Sequence, residues 1–352
     1  MIIKKGVNLG NLVSIIITTY KGASHLSRAI NSAINQSYKS IEIIIVDDND
    51  PLSNERKLTE NVIRKYDNPK IKYIKHEQNK NGAAARNTGI SYSKGRFICF
   101  LDDDDFYFPD RVRESVSLLL GNSLYGAIYC GVILTKENEI SRIVQAEKEL
   151  TQKDILVDEL AIGTGSNLFV RKEILEQVGV FDERFKRYQD LEYMLRILNR
   201  TRVINLNKIL IVKATNGNDN IPHYTKLRDA TELYLQKFGY LINNLKNNEK
   251  EQVYSYHYGV LLYYAIKTQD KVHIEESIKY LKKYRKLTKK EKVTIFVQKY
   301  KLMNDTVCDI GKKTYRFFKV MRRGKDTYDL WNDIEEETKE MIMNLILENE
   351  KQ

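Results

Sequence analysis

The stretch Phe97-Ile-Cys-Phe-Leu-Asp-Asp-Asp-Asp105 joins an apolar run to four consecutive carboxylates. The apolar residues do not alternate with polar ones, which predicts a strand buried on both faces. If the strand continues through the acidic run, Asp102 and Asp104 lie on one face and Asp103 and Asp105 on the other. Adjacent negative charges repel one another, and a bound cation would relieve that repulsion. We therefore expect a ligand site here rather than a solvated acidic loop.

Strand and helix patterns alternate along the chain ahead of this stretch. Short β-branched runs predict strands, and apolar residues at helical spacing predict the helices between them. Because the strands are apolar on both faces and separated by helices, they indicate a parallel sheet that helices cover on both sides. The predicted strands are residues 13–19, 41–46, 71–74 and 96–101, and the predicted helices are residues 23–34, 58–66 and 83–93.

In such sheets, ligands bind beyond the carboxyl ends of the strands. The polar residues that end the predicted strands are therefore the first candidates for a site. They are residues 18–20, 47–50 and 102–105. Taken alone, the pair Asp47-Asp48 is more typical of a turn or a helix cap, so its functional interpretation depends on the other segments.

Downstream of the acidic run the pattern changes at about residue 220. A helix at 109–120, a strand at 125–134 and a glycine-rich loop at 163–165 come first, and only helical patterns follow. We predict two domains, one at 1–220 and an all-helical one at 221–352. The predicted helices of the second domain are residues 224–245, 253–267, 271–284, 290–303, 311–321 and 328–347.

The composition excludes several classes of protein. The chain has 352 residues, 42% of them hydrophobic, with only 17 Gly and 4 Pro, so neither a disordered nor a collagen-like protein is expected. Apolar stretches fall far short of the roughly 18 residues that a spanning helix needs. Gly and Asn residues interrupt the first 17 residues, which argues against a signal peptide. Cys99, Cys130 and Cys308 are odd in number and include no C-x-x-C pair, so we expect buried thiols in a reducing cytoplasm.

Positive charge is concentrated near the C-terminus. The chain carries a formal charge of +11, and residues 279–325 contain 17 Lys and Arg against three acidic residues. Such a segment suits anionic lipid, nucleic acid or an acidic partner, and it is equally typical of the solvated faces of helices. Charge alone does not decide between these interpretations.

Two further segments carry polar groups suited to chemistry. The segment Asn81-Gly-Ala-Ala-Ala-Arg-Asn-Thr-Gly89 has small residues that allow close backbone approach, and its Arg86 suits a phosphate contact. Asp190 precedes an amphipathic helix, where it would act either as a helix cap or as a base. Each of these features is unremarkable by itself, because a lone Arg on a helix is usually solvated.

The motifs resemble, in order and spacing, those of glycosyltransferase family 2, the inverting sugar-nucleotide transferases of the GT-A fold. The resemblance covers residues 11–215 and implies a Rossmann-like, mostly parallel α/β sheet flanked by helices, followed here by an all-α domain. The motifs are Ser14-Ile-Ile-Ile-Thr-Thr-Tyr20, Gln36-Ser-Tyr38, Ile45-Val-Asp-Asp48, Gly82 with Ala85-Arg-Asn-Thr-Gly89, Phe100-Leu-Asp-Asp-Asp-Asp105 with Pro109-Asp-Arg111, and Phe181-Asp-Glu183 with Gln189-Asp190.

By this resemblance, Asp190 is implied to be the catalytic base and Asp104 the ligand of a Mn²⁺ or Mg²⁺ ion. The donor nucleotide is implied to bind Thr18, Tyr20, Asp48, Arg86 and Asp103. His223 is a second candidate for the base, although a lone His at a domain edge is more often structural.

The chain departs from the family pattern at two positions. Gln189 replaces the Glu that usually precedes the base, which puts a supporting contact in doubt. Asp48-Asn-Asp50 replaces the usual Asp-Gly-Ser, so the turn after the second strand is expected to differ.

The resemblance implies transfer of one sugar, a hexose or an N-acetylhexosamine, because the Q-x-x-R-W motif and the spanning helices of processive members are missing from the sequence. The expected donor is a UDP-sugar, with dTDP as an alternative. The expected acceptor is a glycan on a protein or lipid carrier, as in bacterial surface glycan, capsule or glycoprotein synthesis. The loop at residues 163–167 is expected to influence the choice of sugar.

The predicted location is the cytoplasm, with the C-terminal helices making a homo-oligomer or docking the acceptor. Peripheral contact with an anionic membrane is the weaker alternative for that domain, and no nucleic-acid partner is expected. Two other classes remain open. A nucleotidyltransferase would share the sheet and the acidic site, but the glycine-rich N-terminal signature of that class is missing from this sequence. A non-catalytic basic binding protein would leave the ordered motifs unexplained.

Overall fold

The computed structural model describes residues 9–136, 139–157, 161–215, 223–289, 291–292 and 294–295. Its first half alternates strands and helices as predicted. The strands are β1 (Val13–Thr19), β2 (Ile41–Asp47), β3 (Ile71–Lys75) and β4 (Phe97–Asp102), and the helices are α1 (Ala23–Ile34), α2 (Asn54–Ile63) and α3 (Gly82–Tyr92). These four strands pair in parallel in the order β3-β2-β1-β4, which confirms the predicted α/β class.

The second half extends the same sheet with pairs of mixed direction. Its strands are β5 (Asp105–Tyr107), β6 (Tyr125–Lys136), β7 (Glu139–Val144), β8 (Phe169–Arg171) and β9 (Arg202–Thr215). The order continues β4-β8-β6-β9-β5, with β7 on β6. Strand β8 runs antiparallel to β4 and β6, whereas β6 and β9 are parallel. Of these strands the sequence predicted only β6, because three-residue strands such as β5 and β8 are too short to show a period.

The helices of this half connect the strands and cover the sheet. They are α4 (Arg111–Leu120), α5 (Gln152–Val157), α6 (Lys172–Val178) and α7 (Gln189–Leu198). Helix α4 begins at Arg111, two residues later than predicted, because Asp110 is its N-cap. The apolar strands separate two buried clusters, one on each face of the sheet, as the lack of alternation in the strands predicts.

Four helices follow the sheet, namely α8 (Tyr224–Lys237), α9 (Gly239–Asn243), α10 (Asn247–Lys267) and α11 (Lys271–Leu281). The helix predicted at 224–245 is therefore interrupted, with Phe238 as the C-cap of α8. Leu227, Tyr234 and Leu261 lie in the same buried cluster as Leu191 and Met194 of α7. These helices thus share a core with the sheet.

Several sequence predictions fall outside the described residues. These are the domain boundary near residue 220, Cys308, the helices at 311–321 and 328–347, most of the helix at 290–303, and the basic segment beyond residue 295. Cys99 and Cys130 are buried free thiols, as expected. None of the described helices is both long enough and apolar enough to cross a membrane.

Candidate active site

A cavity of about 220 Å³ opens at the carboxyl ends of β1, β2 and β4, beside the first turn of α3. The strands converge there because their register pairs Thr18 with Asp102 and Thr19 with Asp47. Most of the predicted donor-site residues and the predicted metal ligand thus line one space. The lining residues are Thr18, Thr19, Tyr20, Asp48, Gly82, Ala85, Asp102, Asp103 and Asp104.

The acidic run does not continue as a strand, contrary to the expected alternation of its side chains. Asp102 ends β4 and Asp105 begins β5, so Asp103 and Asp104 occupy the turn between the two strands. The reason is that β5 leaves β4 to pair with β9. Both turn residues therefore reach the cavity, where a regular strand would have placed them on opposite faces.

Asp103 lies against the start of α1. Its Oδ2 accepts a hydrogen bond from the Tyr20 backbone amide at 3.3 Å. A β-carbon at Gly22 would lie 1.8 Å from the same oxygen, so only glycine leaves room for this carboxylate. Burial, followed by the charge of Asp102, raises the pKa of Asp103 to about 7.

Asp104 and Asp105 have different surroundings although they are neighbours in sequence. Burial and the adjacent carboxylates raise the pKa of both. Asp105 is fully buried, and its Oδ2 accepts hydrogen bonds from the hydroxyls of Thr164 and Ser166, each at 2.6 Å. Asp105 therefore holds the glycine-rich loop, while Asp104 faces the cavity.

Arg86 connects α3 to β4 and α7. It donates through Nη2 to Asp102 Oδ1 at 2.6 Å and through Nη1 to Gln189 Oε1 at 2.7 Å. Gln189 in turn donates through Nε2 to the Phe185 carbonyl at 2.8 Å. Gln189 thus supports Arg86 at this position, and its amide adds a hydrogen bond that a carboxylate could not donate.

Asp190 is the second residue of α7, in a partly buried position. The N-cap is Tyr188, which adopts φ = 61° and makes no capping hydrogen bond with its side chain. Asp190 is therefore not the N-cap residue, although its Oδ1 accepts a hydrogen bond from the Leu191 amide in the first turn of α7 at 3.0 Å. A β-carbon at Gly165 would lie 3.3 Å from Arg86 Nη2, 3.5 Å from Asp102 Oδ2 and 3.6 Å from Asp190 Cβ, so these groups surround the glycine-rich loop.

His223, the alternative base, is the exposed N-cap residue of α8. Its Nδ1 lies 2.9 Å from the hydroxyl of Thr225, two residues along the chain. The described contacts of His223 are thus local to its own helix. Asp190 is the better placed of the two, because it lies beside Arg86 and Asp102.

Asp48 lines the cavity, yet protein donors occupy both of its carboxylate oxygens. Oδ1 accepts from His76 Nδ1 at 2.7 Å and from the Lys80 amide at 2.9 Å. Oδ2 accepts from the Asn79 side chain at 2.9 Å and from the Asn81 amide at 3.0 Å. Asp48 thereby fixes the loop that leads into α3, and the predicted nucleotide contact would add to this role.

Thr18 and Tyr20 complete the set of predicted residues. Thr18 is the second-to-last residue of β1. Tyr20 follows the end of this strand, and its side chain is 47% exposed. An aromatic ring exposed at a cavity rim is suited to stacking against a planar ligand. The backbone after it turns sharply, with Lys21 at φ = 59° and its amide donating to Asn49 Oδ1 at 2.9 Å.

Sequence analysis did not identify Lys213, which lies near the end of β9. In the antiparallel pairing of β9 with β5, Lys213 lies directly opposite Asp105. Burial alone would lower the pKa of its ammonium, but the charges of Asp105, Asp102, Asp190 and Asp104 raise it above the ordinary value. The available signal was a single lysine after the apolar run Ile209-Leu-Ile-Val212, which resembles the pattern that singled out the acidic residues.

The acidic residues of the turn fit a metal ion only in combination with a substrate. Within the described part of the chain, no group of three or more His, Cys, Asp or Glu side chains is placed to hold an ion. Mg²⁺ and Mn²⁺ sites of transferases typically use one or two carboxylates, with substrate phosphates completing the shell. Asp104 and its neighbours meet that smaller requirement.

Comparisons with known proteins agree with this geometry. Residues 14–179 match the family model "Glycosyl transferase family 2". The chain is 26% identical over 258 residues to the Escherichia coli UDP-Glc:alpha-D-GlcNAc-diphosphoundecaprenol beta-1,3-glucosyltransferase WfgD, covering 70% of this chain and 98% of WfgD. It is 29% identical to the Erwinia amylovora amylovoran biosynthesis glycosyltransferase AmsB, covering 52% of this chain and 62% of AmsB.

Some of the matched relatives are much longer than the matched region. An uncharacterized glycosyltransferase of Rickettsia bellii is 32% identical over 209 residues, which cover 58% of this chain and 29% of the relative. Among solved structures, Staphylococcus aureus TarS 1-349 superposes with a TM-score of 0.55 at 18% identity, covering 76% of this chain and 77% of that chain. Its complex with UDP-GlcNAc gives a TM-score of 0.52 at 15% identity, covering 78% and 91%. At these identities the likeness to TarS establishes the shared fold.

Proposed function

We propose, from the match of residues 14–179 to the glycosyl transferase family 2 model, that this chain transfers a single sugar from a nucleotide-sugar donor to a hydroxyl of a glycan acceptor. The setting is the synthesis of bacterial glycans, which the relatives WfgD and AmsB serve. The observation that carries the proposal is the cavity itself. It brings the Asp103-Asp104 turn, the Arg86-Asp102 pair and the start of α7 together at one end of the sheet.

The proposed donor is a UDP-sugar. TarS has been solved with UDP and with UDP-GlcNAc, and WfgD takes UDP-Glc. In this chain, Tyr20 and Thr18 both line the cavity, and the exposed ring of Tyr20 is proposed to stack on the base. The hydrogen bonds of Asp48 hold the loop that borders this end of the cavity.

Asp190 is proposed to accept the proton of the incoming hydroxyl. A base opposite the leaving group allows a single displacement, which inverts the anomeric centre without a covalent intermediate. Leu191 donates its amide to Asp190 Oδ1 at 3.0 Å, which fixes the orientation of the carboxylate. The second oxygen of the carboxylate remains for the substrate hydroxyl.

The leaving diphosphate is proposed to bind near the turn at Asp103 and Asp104, with Asp104 as ligand of Mn²⁺ or Mg²⁺. Such an ion supplies charge neutralisation as the anomeric bond breaks. Arg86 orients Asp102 and the start of α7 through its two hydrogen bonds, so that both ends of the reaction are held by one side chain. Asp105 keeps the loop around Gly165 beside them.

The acceptor is proposed to be a glycan on a lipid or protein carrier. WfgD acts on a diphosphoundecaprenol-linked sugar, which favours the lipid carrier. A homo-oligomer through the C-terminal helices, and a weaker peripheral contact with anionic membrane, complete the proposal for the partners. Both rest on the basic and aromatic composition of residues 221–352.

A donor panel tests the activity directly. The full chain is incubated with UDP-, GDP- and dTDP-sugars and Mn²⁺, with and without a lipid-diphosphate-linked N-acetylglucosamine acceptor, and free nucleoside diphosphate is measured. We expect release with a UDP-sugar that EDTA abolishes, and sugar transfer in the presence of an acceptor. Release of pyrophosphate from nucleoside triphosphate plus sugar phosphate would instead identify a nucleotidyltransferase. Absence of any turnover with every donor would favour the non-catalytic binding protein.

A further inference from the structure

Strand pairing directs the Lys213 side chain toward the acidic turn. Strands β5 and β9 are antiparallel, and their register places Lys213 directly opposite Asp105. Directly opposite residues of an antiparallel pair project to the same face of the sheet. Because the Asp105 carboxylate on that face contacts Thr164 and Ser166, the Lys213 side chain projects from the face of the sheet that carries the glycine-rich loop.

The charges around this ammonium come from three separate elements. Asp105 and Asp104 belong to β5 and the turn before it, Asp102 ends β4, and Asp190 belongs to α7. Asp104 is the proposed ion ligand and Asp190 the proposed base, so carboxylates from both ends of the proposed reaction act on the charge of Lys213.

Two other cations near the cavity already have protein partners. Arg86 is bound to Asp102 and Gln189, and Arg28 donates to the Asp104 carbonyl. Within the described part of the chain, the Lys213 ammonium forms no hydrogen bond or ion pair, although four carboxylates act on its charge. Its three N–H donors therefore remain available for an anion that enters this space.

We propose that Lys213 is a catalytic residue that contacts the diphosphate of the donor and stabilises the negative charge that develops on it during transfer. The inference rests on the proposed function, since it requires a nucleoside diphosphate leaving group. An ammonium is a compact charge that binds phosphate well, and its effect increases as the leaving group becomes more negative. The competing interpretation is that Lys213 serves only as the counter-ion of the buried Asp105.

The two interpretations predict different effects of Lys213 on the affinity that the second phosphate of the nucleotide contributes. Affinities for UDP and UMP are measured by calorimetry on the full chain and on Lys213→Met. We expect the variant to lose about ten- to hundredfold in affinity for UDP, the size of a hydrogen bond to a charged group, and to keep its affinity for UMP. The turnover of saturating donor should fall by about 10²–10³-fold.

Lys208→Met is the matched control. Lys208 lies on the same strand, but its exposed ammonium pairs with Glu114 of α4 at 3.1 Å and is not among the residues that line the cavity. This variant should bind UDP and UMP as the unmodified protein does. Lys213→Arg, which keeps the charge, should retain most of the preference for UDP over UMP.

The proposal is overturned if Lys213→Met folds with an unchanged ratio of UDP to UMP affinity. If that variant does not fold, Lys213→Gln decides the matter, because its amide keeps polar N–H donors at this position but carries no charge. An unchanged ratio in Lys213→Gln overturns the proposal equally. If the unmodified protein binds no UDP and releases no nucleoside diphosphate from any donor, the proposed function itself fails and this inference fails with it.

Discussion

Asp104 combines two properties that a leaving-group site requires. It faces the cavity from the turn between β4 and β5, and burial with the neighbouring charges of Asp102 and Asp103 raises its pKa. A cation placed beside such a carboxylate stabilises its ionised form. Asp104 is therefore the residue at which removal of a charge should cost the most activity.

Asp104→Asn is expected to abolish sugar transfer and to eliminate the dependence of donor binding on Mn²⁺, while the fold persists because the site is open to solvent. Donor affinity is measured by calorimetry with and without the ion. Asp67→Asn, at an exposed position away from the cavity, is the control and should change neither quantity. Transfer by Asp104→Asn at the unmodified rate would exclude Asp104 as the ligand.

Asp103 makes a prediction about pH. Its pKa of about 7 lies above the value of 3.8 in an unfolded chain, so between these two values the folded state binds the proton more tightly. Stability is thus lost as the pH rises from about 4 to about 7. Asp103→Asn removes this loss, and its unfolding temperature should exceed that of the unmodified protein by about 2–4 °C at pH 8. The difference should vanish near pH 4, and an equal gain at both values would contradict the assigned cause.

Asp190→Asn keeps the shape of the side chain and removes its basicity. We expect transfer to fall by about 10²–10⁴-fold while UDP affinity stays nearly constant, because none of the proposed nucleotide contacts lies on α7. Initial rates and calorimetry on the same preparation separate the two effects. A loss of UDP affinity with an unchanged rate per bound donor would make Asp190 a binding residue instead.

At the scale of elements, the position of α7 depends on helices that lie far away in the sequence. Tyr188 precedes α7 in a left-handed conformation and is buried. Its hydroxyl lies 3.4 Å from that of Thr231 on α8, and its ring lies 5.5 Å from Tyr234 and 5.9 Å from His257, measured between ring centroids. Helices α8 and α10 thus hold the residue that sets the start of the base-bearing helix.

Tyr188→Ala should therefore lower transfer more than it lowers UDP affinity, since the ring that fixes the start of α7 is removed. The loss of a buried ring also costs stability, on the order of 3–5 kcal/mol. Leu261→Ala, on α10 in the same cluster, is the control for stability alone. If both variants lower transfer in proportion to their loss of stability, Tyr188 has no positioning role.

The same elements explain what the sequence could and could not predict. Strands β1, β2 and β4 were predictable because burial on both faces leaves apolar runs such as Ile43–Val46. Strand β9 carries polar residues between its apolar ones, and its register with β6 shifts near Gly131, so its period is broken. Lys213 was missed for the same reason, because its significance arises from the pairing of β9 with β5 rather than from any local motif.

At the scale of the whole molecule, the tyrosines of the C-terminal helices are partly accounted for within the chain. Tyr254 stacks on Tyr284 at 4.4 Å between ring centroids, and Tyr258 stacks on Tyr280 at 5.0 Å. Aromatic surface that suggested a partner is thus used in packing α10 against α11 and the residues after it. Tyr263, at 50% exposure, remains at the surface. The predicted homo-oligomer therefore depends less on these rings than their number suggests.

The shared core also determines where the chain can be cut. Removal of everything after residue 220 would expose apolar side chains of α7, including Leu191 and Met194, that pack in one cluster with α8 and α10. Such a truncation should aggregate rather than retain donor hydrolysis. Removal of residues 296–352 leaves every described element in place, and it deletes most of the basic segment that begins at residue 279.

The shorter truncation separates catalysis from assembly and membrane contact. Because the cavity residues and their core all precede residue 296, we expect unchanged UDP affinity and unchanged release of nucleoside diphosphate from the donor. Light scattering and flotation with vesicles containing phosphatidylglycerol, at low and high salt, are measured on the same sample. A smaller particle would place an assembly contact after residue 295, and loss of salt-sensitive flotation would place the membrane contact there, because attraction to anionic lipid is screened by salt. If donor turnover falls in the truncated chain while its unfolding temperature is unchanged, the deleted residues contribute to the reaction itself, and the division between a catalytic part and a docking part is wrong.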